Sequence, residues 1–213
     1  MKKIVMGVGL LLLIGVFASA GSGDKTAFNL DDIVSINLKQ SDIPKEYRIR
    51  ASKTGLKNKA VDYAEGEKES AKKLEQQGWA ASDEIYFETG DEQLNIYAAL
   101  SLYKDVARLD CSFERVRSNL LKEGAVEIKN AKKLEQKSVF FKELYKDPKW
   151  GEIVLYEVRF YYGNVFANVE IGGPEKVKED ISQKKIEKYA AILERRLKKG
   201  CPQCEKAPPC TAH

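Results

Sequence analysis

Apolar and polar residues alternate from Glu152 to Ile171 on both sides of the dipeptide Gly163-Asn164. This is the period-2 signature of two strands joined by a two-residue turn, with Gly163 able to supply the positive φ that a type II′ turn needs at its first central position. The implied register pairs Phe160 with Ala167, Val158 with Val169 and Tyr156 with Ile171, all apolar. Tyr161, Arg159, Glu157, Phe166, Asn168 and Glu170 then share the opposite face. A second hairpin is predicted around Gly90-Asp91, joining 84–89 to 92–102. It pairs Phe87 with Leu94 and Ile85 with Ile96, and puts Tyr86, Asn95 and Tyr97 on the other side. Shorter strands are expected at 47–50, 125–128 and 139–145.

A helical period appears at Val106, Leu109, Phe113, Val116 and Leu120, a single apolar stripe with Asp105 as N-cap and Gly124 as stop. A last helix is predicted from Pro174 to Gly200, carrying Val177, Ile181, Ile186, Tyr189, Ile192, Leu193 and Leu197 inward. A third is expected at 68–77, before Gly78. No internal repeat or long linker divides the chain. The expected fold is therefore a single α+β domain over 31–200, a mainly antiparallel twisted sheet with helices packed on it. Residues 21–30 are expected to be a flexible N-terminal segment, and 201–213 a Cys/Pro-rich C-terminal tail.

The start of the chain changes the picture of where this domain works. Lys2 and Lys3 precede an apolar run over 4–17, and Ala18-Ser19-Ala20 places small residues where a signal peptidase reads them. Residues 1–20 thus read as a signal peptide cleaved after Ala20. The run is short for a bilayer span, which needs about 20 residues. The expected product is exported, periplasmic or extracellular, with no stable membrane span after cleavage. Loss of Lys2 and Lys3 takes the formal net charge from +4 to +2. That balance is too mild for a dedicated nucleic-acid binder, and no nucleic-acid partner is expected. With 213 residues, 43% hydrophobic and 32% charged, the chain is neither disordered nor a disulfide-only miniprotein.

The string Val158-Arg159-Phe160-Tyr161-Tyr162-Gly163-Asn164-Val165-Phe166-Ala167-Asn168-Val169 resembles the late hairpin of extracytoplasmic PsbP-like α+β domains. Ile43-Pro44-Lys45-Glu46-Tyr47 is similar to the lead-in to their first strand. Domains of this kind occur in bacterial lipoproteins and as external sensor domains of some kinases. The resemblance covers about a tenth of the chain as motif. It implies a binding or accessory role and carries no site residue across.

The four cysteines are Cys111, Cys201, Cys204 and Cys210. Cys201-Pro-Gln-Cys204 follows the last helix instead of opening one, so it lacks the helix N-terminus that lowers the thiol pKa of a thioredoxin-type pair. Cys201, Cys204, Cys210 and His213 have the ligand number of a zinc site, but no second paired knuckle. Disulfides are the leading expectation for an exported chain. Cys111 lies two positions from Phe113, on the side of its helix away from the core stripe, where an exported protein seldom leaves a free thiol. Each of the three possible connectivities joins Cys111 to a tail cysteine, stapling the tail to helix 106–120 for about 2–4 kcal/mol.

Tyr97, Tyr103, Arg159, Tyr161, Phe166 and Asn168 share the less apolar sheet face and are candidates for a ligand or partner surface. The plainer alternative is that a helix covers them. Catalysis has little support: the single histidine is His213, no acidic pair stands out, and no phosphate loop or dinucleotide glycine pattern occurs. No cofactor is implied. The function expected is a non-catalytic domain binding a small ligand or a protein partner outside the cytoplasm. The alternative is a disulfide-stapled structural or accessory subunit of an envelope or extracellular assembly.

Overall fold

The computed structural model describes residues 27–104, 106, 109–177 and 181–204. The leader, Asp105, Cys210 and His213 lie outside them. In chain order the elements are α1 (Leu30–Ile36), β1 (Tyr47–Ile49), β2 (Gly55–Lys57), α2 (Ala60–Tyr63), α3 (Lys68–Gln76), β3 (Trp79–Thr89), β4 (Asn95–Tyr103), α4 (Leu109–Lys122), β5 (Val126–Glu127), β6 (Ser138–Asp147), β7 (Gly151–Tyr162), β8 (Val165–Pro174) and α5 (Gln183–Gly200). The strands form one antiparallel sheet in the order β1-β3-β4-β8-β7-β6-β5, with β2 also on β3. Helices pack on both faces, giving the α+β architecture that the alternation of strand and helix patterns implies.

The β7–β8 hairpin keeps its predicted register: Phe160 pairs with Ala167, Val158 with Val169 and Tyr156 with Ile171. Gly163 has φ +56° and Asn164 is not in the left-handed region, as a type II′ turn requires. The β3–β4 register differs from expectation by two residues, with Phe87 opposite Ile96 and Ile85 opposite Ala98. Residues 90–93 make a longer loop, closed by Thr89 N–H donating to the Leu94 carbonyl (3.0 Å) and Leu94 N–H donating to Thr89 Oγ1 (3.1 Å). A shift of two preserves which side chains face which way, so the core assignment survives.

The start of the last helix is a correction. Pro174 ends β8, and α5 begins only at Gln183, capped by Ser182 Oγ accepting from Lys185 N–H (3.4 Å). Beyond Gly172 strand β8 has left β4 and pairs with β7 alone, so Pro174 breaks no bond on the other side. Gly173 is fixed by close approach: a Cβ there would meet Gln93 O and Leu94 Cδ2, both at 2.7 Å.

One face of the sheet is sealed by α5 and α1. Ile186, Tyr189, Leu193 and Leu197 of α5, with Ile33 and Ile36 of α1, cover Phe87, Ile96, Leu100, Val158, Phe160, Val169 and Ile171. Arg196 locks these helices together: it donates to both Asp42 carboxylate oxygens (2.8 Å each) and to the carbonyls of Ile36 and Asn37. The other face is covered in part by α4, whose Leu109, Phe113 and Leu120 pack with Trp79, Tyr103, Tyr161 and Phe166.

The Gly163-Asn164 turn ties in the N-terminal segment. Phe28 is buried, and its N–H donates to Asn164 Oδ1 (2.8 Å) while Asn164 Nδ2 donates to the Phe28 carbonyl (3.1 Å). Asn29 then caps α1. Replacing Asn164 by Ala strands both buried Phe28 backbone groups, and we expect a loss of about 2–4 kcal/mol in urea unfolding. The same measurement on Gly173→Ala should show about 1–3 kcal/mol lost through overpacking.

Candidate functional site on the α4 face of the sheet

The six surface candidates divide into two groups. Tyr103, Tyr161 and Phe166 are buried under α4, where Phe113 meets Tyr161 edge-on (centroids 5.7 Å apart). Their rings are occupied by packing. Tyr161 OH also donates to the buried Asp110 of α4 (3.0 Å), which in turn accepts from Lys137 Nζ (2.6 Å). Tyr97, Arg159 and Asn168 lie further along the strands from α4 and are half-buried, with Tyr63 of α2, itself packed on Trp79, close to Tyr97 and Arg159.

There they meet carboxylates that sequence reasoning did not single out. The β7–β8 register sets Glu157 directly opposite Glu170 and Arg159 directly opposite Asn168. The four form a square: Arg159 is ion-paired to Glu157 along β7, and Asn168 Nδ2 donates to Glu170 Oε1 (2.7 Å) along β8. On β4, Tyr97 stands opposite Glu170 and donates its hydroxyl to Glu84 Oε1 of β3 (2.9 Å). Like charges directly opposite on neighbouring strands are destabilising. This pair sits on two central strands of the sheet, and Glu157 is only 2% exposed.

Electrostatics follow from that placement. Burial pushes Glu157 up to about 7, outweighing the pull of Arg159, with Glu170 adding to the rise. Burial also raises Glu170, Glu84 and Glu143. Tyr97 is held protonated for the same reason. Asn168 Oδ1 is buried and has no hydrogen-bond partner among the described residues, an acceptor left over once the amide nitrogen is used. The cluster thus holds acceptors at Asn168, Glu170 and Glu84, and its Glu157 changes ionisation near neutrality. The signal for it was present in the sequence, because the turn at Gly163-Asn164 by itself sets Glu157 against Glu170.

The cysteines are placed differently from the zinc alternative. Cys201 and Cys204 are bonded to each other, which removes both thiolates from a zinc set, and Cys210 and His213 lie outside the described residues. Cys111, half-buried on α4, is disulfide-bonded as well. No group of His, Cys, Asp and Glu among the described residues has a metal-holding arrangement. None of the described helices is long and apolar enough to cross a membrane.

No protein-family model matches the chain, and no curated protein matches it. Among solved structures it is similar to the extracellular domain of PknH from Mycobacterium tuberculosis, with a TM-score of 0.51 at 10% identity over 81% of this chain and 98% of that one. At that identity the likeness is one of fold. The PsbP-like resemblance therefore rests on the residues that carry it.

The raised Glu157 gives a pH test. The unfolded chain releases this proton near the ordinary value of 4.5, whereas the folded chain holds it to about 7. Folding stability contributed by the protonated group is present below 4.5 and lost as pH rises to about 7. Wild type should lose on the order of 1–3 kcal/mol between pH 4.5 and 8, and Glu157→Gln should flatten that decline in urea midpoints. An undiminished decline in the variant would assign the effect elsewhere.

Proposed function

We propose that the chain is an exported, non-catalytic α+β domain that binds a small ligand or a protein partner outside the cytoplasm. The observation that carries this reading is the square of Glu157, Arg159, Asn168 and Glu170. Two opposed carboxylates and an unpaired amide oxygen occupy sheet positions where apolar residues would give more stability. Export is supported by the leader pattern of residues 1–20 and by the Cys201–Cys204 disulfide, a bond that persists in oxidising compartments. Likeness to an extracellular domain favours the sensor branch of the resemblance. The non-catalytic part rests on the sequence, whose single histidine is the terminal His213.

The ligand suited to this square presents hydrogen-bond donors, as a polyol or an amine does. A thermal-shift panel of sugars, polyols and polyamines should contain compounds that raise the midpoint of wild type but not of Asn168→Leu or Glu170→Gln. Hits that stabilise all three proteins equally would remove the square from the function. Intact mass of the secreted protein should begin at Gly21 with no alkylatable thiol before reduction, and retention of residues 1–20 in a cytoplasmic product would sink the export reading.

The accessory-subunit reading draws on a different observation. Val126 and Leu144 are 65% and 64% exposed on the paired strands β5 and β6, an apolar edge suited to a neighbouring subunit. Native mass that rises with protein concentration, and that Leu144→Lys abolishes, would favour it.

A further inference from the structure

On the far side of α5 from the core, the helix presents a cationic stripe with a recessed apolar floor. Lys184, Lys188, Arg195 and the single acid Glu187 line a groove of about 550 Å³ together with Lys132 from the segment before β6, and Ala191 and Ile192 form its half-buried floor. The two acids of α5 do not neutralise it by ion pairing. Glu187 accepts from Lys132 N–H (2.9 Å), and Glu194 accepts from the N–H groups of Glu135 (2.7 Å) and Gln136 (3.3 Å), which holds the 132–136 backbone against the helix; the lining still sets four cations against the one carboxylate of Glu187. Two other cations of the helix have separate partners: Arg196 is clamped on Asp42 and Lys198 is paired with Glu135. Lys132, Lys184, Lys188 and Arg195 form no ion pair among the described residues.

We propose that this groove docks an acidic peptide segment of a protein partner, with an apolar side chain seated on Ile192 between flanking carboxylates. Charge complementarity carries the assignment, and the dimensions agree with it. Eleven helical steps from Lys184 to Arg195 cover about 16 Å, the length of roughly five residues of extended chain. A bilayer surface fits less well, because an interfacial helix pushes large apolar side chains outward. None of the exposed large apolar residues lies on α5. A nucleic acid fits less well too, since no aromatic lines the groove. The surface is on the opposite side of the sheet from the Glu157–Glu170 square and does not depend on that site being functional.

The test is a titration of the secreted full chain with an acetylated and amidated peptide, Glu-Glu-Leu-Glu-Glu, followed by amide chemical shifts. Saturable binding is expected, with shifts at Ala191 and Ile192, weakening as salt is raised from about 50 to 300 mM. The combined variant Lys184→Gln, Lys188→Gln, Arg195→Gln should lose about tenfold or more in affinity. Lys72→Gln with Lys73→Gln on α3 should lose nothing. These are solvent-facing substitutions, and circular dichroism of each variant establishes that it is folded. Should the triple variant unfold, Lys188→Gln alone should weaken binding about twofold. Absence of saturable binding, or equal loss in the α3 variant, overturns the proposal. Binding to vesicles containing phosphatidylglycerol through the same three cations, with none to the peptide, overturns it in favour of a membrane face.

Discussion

The side chain of Asn164 makes more long-range connections than its size suggests. It holds both backbone groups of Phe28, and Nδ2 also reaches the Tyr103 carbonyl (3.4 Å), while Tyr103 N–H donates back to the Asn164 carbonyl (2.9 Å). One residue therefore fixes the turn of the central hairpin, the end of β4 and the approach to α1. The neighbouring Gly163 leaves no room for a side chain, since a Cβ there would lie 2.8 Å from Cys204 Cβ. Tyr162 completes the junction by donating its hydroxyl to the Cys201 carbonyl (3.2 Å). Were this corner to loosen, both sheet faces would lose the reference that aligns their helices.

What the sequence reveals of this fold depends on how local the determining interactions are. The β7–β8 hairpin is legible to the residue because its turn and its alternation are both contained in 20 positions. The β3–β4 register is not, because Thr89 and Leu94 close a longer loop through side-chain bonds that composition does not announce. The first half of β3 escapes notice altogether. Trp79-Ala80-Ala81-Ser82-Asp83 lacks a strand-like alternation, and its buried Asp83 is acceptable only because Asn37 donates to it from α1's end. Pro174 misleads by suiting a helix start as well as a strand end.

The candidate site shows the same boundary. Parity along the strands groups Tyr97, Tyr103, Arg159, Tyr161, Phe166 and Asn168 on one face, and they do share it. Which of them remain available depends on where α4 stops, a tertiary fact. Tyr103, Tyr161 and Phe166 fall beneath the helix and become core. Tyr97, Arg159 and Asn168 fall beyond it and join Glu84, Glu157 and Glu170. The polar square is costly in a sheet centre, while the α5 side carries a dense apolar seal.

The corner at Asn164 also decides how the domain is presented. Phe28 and the Cys201–Cys204 pair, the two ends of the described chain, converge on the same tip of the sheet. The Glu157–Glu170 row lies six residues down the hairpin from that tip, about 20 Å away. Any tether entering through Phe28 or leaving through Cys204 therefore anchors the molecule at its closed corner. The ionisable row, midway along β7 and β8, is thereby held clear of the point of attachment.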